Sequence, residues 1–132
     1  MTLLLFASGE TFAAGAVGYK YGPATQGETT NRIILEVEIQ EIPTRAAVDT
    51  GAPYVVCSPQ VAFDAGVNTA AALERKIMLI RGMRLQGFLT RLNIKLKAEQ
   101  GDDLDVDSTV FIPESEKLWG NLPCFIGLTG FL

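Results

Sequence analysis

The sequence predicts an all-β protein, either a barrel or a sandwich of short strands. Thirteen glycines and six prolines in 132 residues favour frequent turns over a helical bundle. Several segments alternate apolar and polar residues with a period of two, whereas one short segment carries clear helix start and stop signals. The length and the 48% hydrophobic content fit one domain over residues 1–132, and we find neither an internal repeat nor a linker.

The first 31 residues predict an N-terminal strand and a loop. Residues 1–18 are apolar and rich in glycine and alanine, and Met1–Gly9 predicts a strand of the mature chain. A signal peptide is disfavoured because the start lacks basic residues and its apolar run is short. Residues 19–31 are polar turn formers. No stretch is long enough to cross a membrane, so we expect no membrane association and a cytoplasmic location.

Three strands and one turn are predicted next. Ile33–Ile39 alternates as a half-buried strand does. Glu41–Thr44 predicts a turn, and Ala46–Val48 predicts a buried strand that delivers the chain to Asp49. Tyr54–Cys57 predicts a further strand.

A short helix follows this strand. Ser58 is the predicted N-cap, Pro59 the first helical residue and Gly66 the C-terminal cap. Thr69–Glu74 predicts one more helical turn.

The segment after the helix predicts a β-hairpin. Its arms are Lys76–Ile80 and Phe88–Leu96, and its tip is Arg81–Gly87, with a glycine near each end of the tip. One face of the second arm is mostly apolar: Phe88, Thr90, Leu92, Ile94 and Leu96. The other face is polar apart from Leu89, and it carries Arg91, Asn93, Lys95 and Lys97.

The last third of the chain predicts two more buried segments. An acidic turn at Glu99–Asp103 precedes an alternating strand over Leu104–Ile112. Pro113–Asn121 predicts a loop in which Trp119 anchors a core or an interface, and Leu122–Gly127 predicts a final buried run.

Composition excludes several classes of function. The net charge is −4, and the absence of a basic run argues against a nucleic-acid partner. The chain has no histidine, which excludes Ser-His-Asp and Cys-His catalysis and His-containing zinc sites. Cys57 and Cys124 are too few for a disulfide framework and predict small buried apolar residues. No cofactor is implied.

The candidate functional residues are Asp49, Thr50 and Gly51, which lie between two apolar runs. A carboxylate is rarely placed between core-like segments unless it is paired or functional. Two carboxylates held close together share one proton, so one activates a water as general base while the other acts as general acid. The chain has one such tripeptide and supplies one carboxylate, so a working pair requires two chains related by a two-fold axis.

Three segments, in order, resemble the retropepsin-like aspartic peptidases, which are retroviral-type single-domain enzymes. They are Ala46–Ala52 with Ser58 opening a helix, the hairpin around Gly82–Gly87, and Phe125–Leu132. The resemblance covers residues 33–132 and implies an acid-protease closed barrel with a flap hairpin and one short helix. It implies that Asp49 is catalytic and that Thr50 and Gly51 form the supporting turn. The substrate contacts that it implies are Ala52, Gly82, Met83, Arg84, Leu85 and Gly87.

The chain departs from the family pattern in two places. Family flaps often carry adjacent glycines at the tip, whereas here four residues separate Gly82 from Gly87. The sequence ends at Leu132, where the family continues with a helix and a strand that build much of the dimer interface. We expect residues 1–18 to substitute for them if the two Asp49 carboxylates are to meet.

Each feature also has a simpler interpretation. Asp49 alone fits an Asx-turn, although the flanking runs favour a peptidase-type site. Asp103, Asp105 and Asp107 mimic a calcium loop but lack its required glycine, so a strand is favoured. The basic residues Arg81, Arg84, Arg91, Lys95 and Lys97 favour a solvated hairpin face, the alternative being that Arg81 or Arg84 pairs with an acidic substrate side chain.

The sequence therefore predicts an aspartic endopeptidase that acts as a homodimer on peptide or protein substrates. The alternative from another class is a catalytically inactive module that binds peptides or dimerises. A third possibility is that the sequence is a fragment of a longer chain that supplies the missing strand.

Overall fold

The computed structural model describes residues 7–9, 15–25, 29–68, 72 and 74–127. Short strands dominate it, as the sequence predicts. The strands are β1 (Gly15–Ala16), β2 (Lys20–Gly22), β3 (Arg32–Ile39), β4 (Ile42–Val48), β5 (Val55–Val56), β6 (Glu74–Ile80), β7 (Met83–Leu96), β8 (Gln100–Gly101), β9 (Leu104–Pro113) and β10 (Cys124–Ile126). The helices are α1 (Pro59–Asp64) and α2 (Glu116–Trp119). The all-β fold class is therefore confirmed.

Some predicted features lie outside the described residues. They include residues 1–6 of the first predicted strand, residues 69–71 and 73 of the extra helical turn, and residues 128–132 of the last family segment. Residues 7–9 form a turn and not the end of the predicted first strand. Glu74 begins β6 and does not end a helical turn.

Six strands close into a barrel. Their order is β3, β4, β10, β5, β9 and β7, and β7 pairs back onto β3 through Glu38 with Lys95 and Ile39 with Ile94. β2 and β6 extend the two ends of this sheet, and β1 pairs separately with β8. Closure leaves the six barrel strands without a free edge.

Two apolar clusters pack on opposite faces of the barrel wall, because successive strand residues alternate between faces. The barrel interior takes buried side chains from all six strands and α1: Val37, Ile39, Ala46, Val55, Cys57, Ala62, Leu92, Ile94, Val110, Ile112, Cys124 and Ile126. The outer cluster lies between the wall, the β6–β7 hairpin and α2, and it includes Ile34, Ala47, Val56, Met78, Leu85, Leu89, Phe111, Trp119 and Phe125.

β7 contributes to both clusters, which explains why Leu89 breaks the predicted alternation. Leu85 and Leu89 pack in the outer cluster, whereas Leu92 and Ile94 point into the barrel. The strand thus exposes one face near the hairpin and the opposite face farther along. A single period-two pattern over Phe88–Leu96 does not describe such a strand.

The β3–β4 turn is shorter than predicted. Ile39 pairs with Ile42, so Gln40 and Glu41 alone form the loop, at φ of 48° and 71°. Positive φ at both positions matches the two-residue turns that suit the twist of a hairpin. The predicted turn over Glu41–Thr44 is therefore wrong after its first residue, and Pro43 lies in β4 opposite Glu38.

The β6–β7 hairpin also has a two-residue turn. Ile80 pairs with Met83, and Arg81 and Gly82 lie between them at φ of 51° and 77°. The predicted tip over Arg81–Gly87 is therefore too long, because residues 83–87 belong to β7.

The helix signals are confirmed at α1. The Ser58 hydroxyl accepts a hydrogen bond from the Val61 N–H at 3.3 Å, and Gly66 follows the helix at φ of 68°. The region predicted as a loop after β9 contains the second helix, α2, because Ser115 caps it through a 3.1 Å hydrogen bond from the Leu118 N–H. Trp119 is buried and stacks edge-on against Phe125, which confirms it as a core anchor.

Cross-strand ion pairs line the polar face of the barrel. Arg91 pairs with Asp107 at 3.1 Å, Lys95 with Asp105 at 3.9 Å and Lys97 with Glu38 at 3.3 Å. These pairs fit the solvated-face interpretation of the basic residues. They place Asp105 and Asp107 on a strand and not in a calcium loop.

Candidate active site

The candidate site begins where β4 leaves the sheet. The chain turns sharply after Val48: the Asp49 N–H donates to the Ile126 carbonyl at 3.0 Å, and the Ala52 N–H donates to the Asp49 carbonyl at 3.1 Å. Val48 itself pairs with Ile126 of β10. The backbone of Asp49 is therefore fixed by hydrogen bonds on both sides.

β10 supports this turn from behind. It lies between β4 and β5, parallel to the first and antiparallel to the second. Gly127, which follows it, is buried, and a β-carbon there would collide with the carbonyl of Tyr54 and lie 2.7 Å from that of Ala52. The Phe125-Ile126-Gly127 run therefore packs against the Asp-Thr-Gly loop.

The Asp49 side chain is half-buried and caps its own turn. The Gly51 N–H donates to Oδ1 at 3.0 Å, and a β-carbon on Gly51 would stand 3.2 Å from that oxygen. This is the Asx-turn that the sequence left open as the simpler interpretation. It fixes the carboxylate geometry and is equally compatible with a catalytic role, since such a role requires a positioned carboxylate.

Thr50 is exposed. Within the described part of the chain, its hydroxyl forms no hydrogen bond that braces the turn. Bracing of the turn by this hydroxyl stays a prediction.

The β6–β7 hairpin covers the Asp-Thr-Gly loop. The Lys76 ammonium lies 5.6 Å from the centre of the Tyr54 ring, and the Arg81 guanidinium lies 5.7 Å from the centre of the Phe125 ring. Cations over aromatic rings attract at this range. The contact of Lys76, in the first strand of the hairpin, thus holds the hairpin against the loop. The contact of Arg81, in its turn, holds it against β10.

A cleft of about 90 Å³ separates the loop from the hairpin. Its walls are Asp49, Gly51, Ala52, Pro53, Val56, Met78, Leu79, Ile80, Arg81 and Phe125. Among these described residues the charged side chains are Asp49 and Arg81, and the rest are apolar residues and glycine. This volume is small for a peptide, so an occupant requires the hairpin to lift.

The predicted substrate-contact residues are spread over several positions. Ala52 lines the cleft, and Gly82 lies in the adjoining turn. Met83 and Leu85 face the outer cluster, whereas Arg84 is exposed opposite Leu79. Their roles in binding stay predictions.

Gly87 lies inside β7, paired with both Lys76 and Pro113. A β-carbon at this position would collide with the Ile112 carbonyl and lie 2.6 Å from the Phe111 ring. Close packing is therefore sufficient to explain this glycine. A contact between Gly87 and substrate stays a prediction.

Arg81 is the lining residue that sequence reasoning undervalued. The sequence shows that Arg81 lies beside Gly82 in a hairpin, but it does not show that the turn has only two residues. With a two-residue turn its side chain is exposed, as a solvated hairpin residue is, and it also comes next to Phe125 and the cleft.

The two cysteines are buried near the site and are not bonded to each other. The Ser58 N–H donates to the Cys124 sulfur at 3.3 Å, and the Cys57 thiol donates to the Ser58 carbonyl at 3.4 Å. The neighbouring Cys124 sulfur and burial both raise the pKa of Cys57. Both side chains therefore act as core residues, as predicted.

A wider cleft of about 450 Å³ lies at the β3–β4 hairpin. Its charged residues are Glu36, Glu38, Arg45, Lys95, Lys97 and Glu99. Lys97 pairs with Glu38, Lys95 with Asp105, and Glu36 faces Arg45 across the strands. Because these charges are matched with one another, this cleft is a weaker candidate than the one at Asp49.

Metal-ligating side chains do not gather anywhere in the described ranges: no group of three or more Asp, Glu, Cys or His residues is positioned to hold an ion. The helices of this part of the chain are also too short to span a bilayer.

The comparisons with known proteins bear on the fold. No family model matches the sequence, and no curated protein matches it. Among solved structures, the chain is similar to a retropepsin-like aspartic protease from Rickettsia conorii. The TM-score is 0.50 at 13% identity, over 85% of this chain and 75% of that chain. This similarity supports the fold that the resemblance implied.

Proposed function

We propose that the chain is an aspartic endopeptidase that works as a homodimer, with Asp49 as its catalytic residue. The observation that carries the proposal is the position of the Asp49 carboxylate. It lies at the end of a barrel strand, is held by a Thr-Gly turn, and lines a cleft beneath a hairpin. The similarity of the fold to a retropepsin-like aspartic protease supports the same conclusion.

The chemistry requires a second chain. Of the described residues that line the cleft, Asp49 carries the one carboxylate, whereas general acid and general base catalysis by carboxylates needs two that share a proton. A two-fold axis beside the Asp-Thr-Gly loop brings the partner's carboxylate to the same water. The water then attacks the peptide carbonyl without a metal, a histidine or a covalent intermediate.

The substrate is a peptide in an extended conformation. An extended segment between the hairpin and the loop adds main-chain hydrogen bonds to strand edges, which is a general mode of peptide recognition. Of the predicted contacts, Ala52 lines the cleft and Gly82 lies beside Arg81 in the hairpin turn. The apolar side chains of Met78, Ile80 and Phe125 supply the rest of the surface.

The test combines sedimentation equilibrium with cleavage of an unfolded protein substrate. We expect the wild type to dimerise and cleave, and Asp49→Asn to dimerise without cleavage. Asp105→Asn is the matched control, because this carboxylate is exposed and its ion pair is long, at 3.9 Å. Cleavage that persists in Asp49→Asn contradicts the proposal.

A second candidate function is peptide binding without turnover. The small volume of the cleft, and the single carboxylate among its described lining residues, favour this role for a chain that stays monomeric. This second function is supported if the protein stays monomeric at high concentration and binds peptides but cleaves none.

A further inference from the structure

The β6–β7 hairpin is basic within an acidic chain. Residues 74–88 contain four basic residues and one acidic residue, a net charge of +3, although the whole chain carries −4. Charge of opposite sign in a binding surface selects its partners and speeds their encounter. The hairpin that covers the cleft is therefore suited to a negatively charged occupant.

The four cations of the hairpin have different surroundings. Arg75 donates to Glu114 at 2.6 Å and lies over Phe88, and Lys76 lies over Tyr54. Arg84 is exposed opposite Leu79 and does not line the cleft. Arg81 is the cation that lines the same cleft as Asp49.

The β6–β7 turn and the ring of Phe125 determine where the Arg81 guanidinium lies. Arg81 occupies a left-handed backbone conformation, and its guanidinium lies over a ring that is 2% exposed. Stacking uses the flat face of a guanidinium, whereas its N–H donors point outward in its plane. The ring therefore lies beside the cation, and the planar fork of N–H donors in a guanidinium matches the two oxygens of a carboxylate.

We propose that Arg81 is a specificity-determining residue that binds a carboxylate of the peptide in the Asp49 cleft. The proposal rests on the function proposed above and adds the substrate class, which is a peptide with an acidic group near the bond to be cleaved. Apart from Arg81, Asp49 and Gly51, the described residues of the cleft wall are apolar, so we expect apolar residues beside that acidic group. The carboxylate comes from a Glu or Asp side chain or from the peptide's C-terminus.

The test uses matched peptides and a turn-preserving variant. Peptide pairs differ by Glu against Gln at each position around one cleavable bond, and each is made with a free and an amidated C-terminus. Arg81→Asn removes the cation but creates Asn-Gly, the preferred sequence for a two-residue turn with positive φ, so the hairpin is retained. Arg75→Gln is the control, because it removes the same charge from the same hairpin away from the cleft.

We expect wild type to prefer one Glu peptide over its Gln partner by about tenfold in kcat/KM, as one charge-assisted pair provides. Arg81→Asn loses this preference, Arg81→Lys keeps part of it, and Arg75→Gln retains it. If the preference follows the free C-terminus instead of a side chain, the carboxylate is the terminal one. A preference that survives in Arg81→Asn, or that is lost in Arg84→Gln instead, overturns the proposal.

Binding separates this proposal from the proposed catalysis. The same peptides, labelled with a fluorophore, are titrated into Asp49→Asn and followed by anisotropy. If wild type cleaves nothing but Glu peptides bind more tightly, and this difference disappears with Arg81→Asn, the catalytic proposal fails and the Arg81 proposal stands. Equal binding of both peptides, or no binding of either, overturns the Arg81 proposal itself.

Discussion

Gly127 leaves no space for a side chain, because its α-carbon packs against the backbone of Ala52 and Tyr54. A methyl group there must push the Asp-Thr-Gly loop away from β10. We expect Gly127→Ala to lower the free energy of unfolding by about 1–3 kcal/mol, the usual cost of overpacking a core. Urea unfolding measures this loss. We also expect peptide cleavage to fall, since Asp49 lies on the displaced loop.

The control is Gly22→Ala. Gly22 lies in β2 without a positive φ, and no atom lies within 4 Å of the position that an added methyl group would take. We expect its free energy of unfolding to change by less than about 0.5 kcal/mol. Equal losses in the two variants contradict the packing argument.

Cys57 makes the free energy of unfolding depend on pH in the alkaline range. Its pKa is raised by the Cys124 thiol and by burial, so the folded chain keeps this proton when the unfolded chain loses it. The stabilisation is complete below the ordinary cysteine pKa of about 8.5 and declines as pH rises above it. We expect the free energy of unfolding to fall more steeply above about pH 9 in wild type than in Cys57→Ala. Equal slopes in the two proteins contradict a raised pKa.

At the residue scale, the sequence predicts that Asp49 lies at the end of a buried strand, but it does not predict which residues from other elements surround it. The apolar runs on both sides of the Asp-Thr-Gly tripeptide are local, so they predict a carboxylate at the end of a buried strand. The contact of Arg81 with Phe125 joins residues 44 positions apart and depends on the register of two hairpin strands. Periodicity alone does not determine that register.

The β3–β4 turn holds two non-glycine residues in left-handed conformations. Such a conformation costs an L-residue about 1–2 kcal/mol, and glycine avoids this cost although it loses more chain entropy. We expect Glu41→Gly to raise the free energy of unfolding by about 0.5–1 kcal/mol and to raise Tm, measured by thermal and urea unfolding.

Gln40→Gly is the control for this prediction. It relieves a similar φ of 48° but removes the Gln40 side chain, whose Oε1 accepts the Asn93 N–H at 2.7 Å. We therefore expect Gln40→Gly to gain less than Glu41→Gly, or to lose stability. A larger gain in Gln40→Gly contradicts the assigned role of this hydrogen bond.

At the element scale, local signals predict well where they are complete. β3 and α1 carry their own alternation and caps, and both form at the predicted places. α2 is four residues long and begins at a local cap, Ser115, but it is also stabilised by burial of Trp119 against Phe125, a contact that the local pattern does not reveal. The two hairpins show the same limit, because pairing across the strands extends β4 and β7 into residues that had been assigned to turns.

At the scale of the whole molecule, closure of the barrel brings together segments that are far apart in sequence. β10 enters between β4 and β5, so a strand near residue 125 supports a loop near residue 50. The order of the three family-like segments anticipated this arrangement, whereas composition alone left a barrel and a sandwich equally open. Among the described residues, the carboxylate on the cleft wall is that of Asp49, and the proposed mechanism takes the second one from a partner chain.

The proposed dimer predicts that an inactive chain suppresses an active one. If chains exchange freely, adding an equal amount of Asp49→Asn to wild type doubles the number of dimers, but only a quarter of them keep both Asp49 carboxylates. Cleavage then falls to about half, and with a threefold excess of the variant it falls to about a quarter. Asp105→Asn, added in the same way, does not reduce cleavage. Cleavage that does not change when Asp49→Asn is added and the chains have exchanged contradicts the proposed dimer.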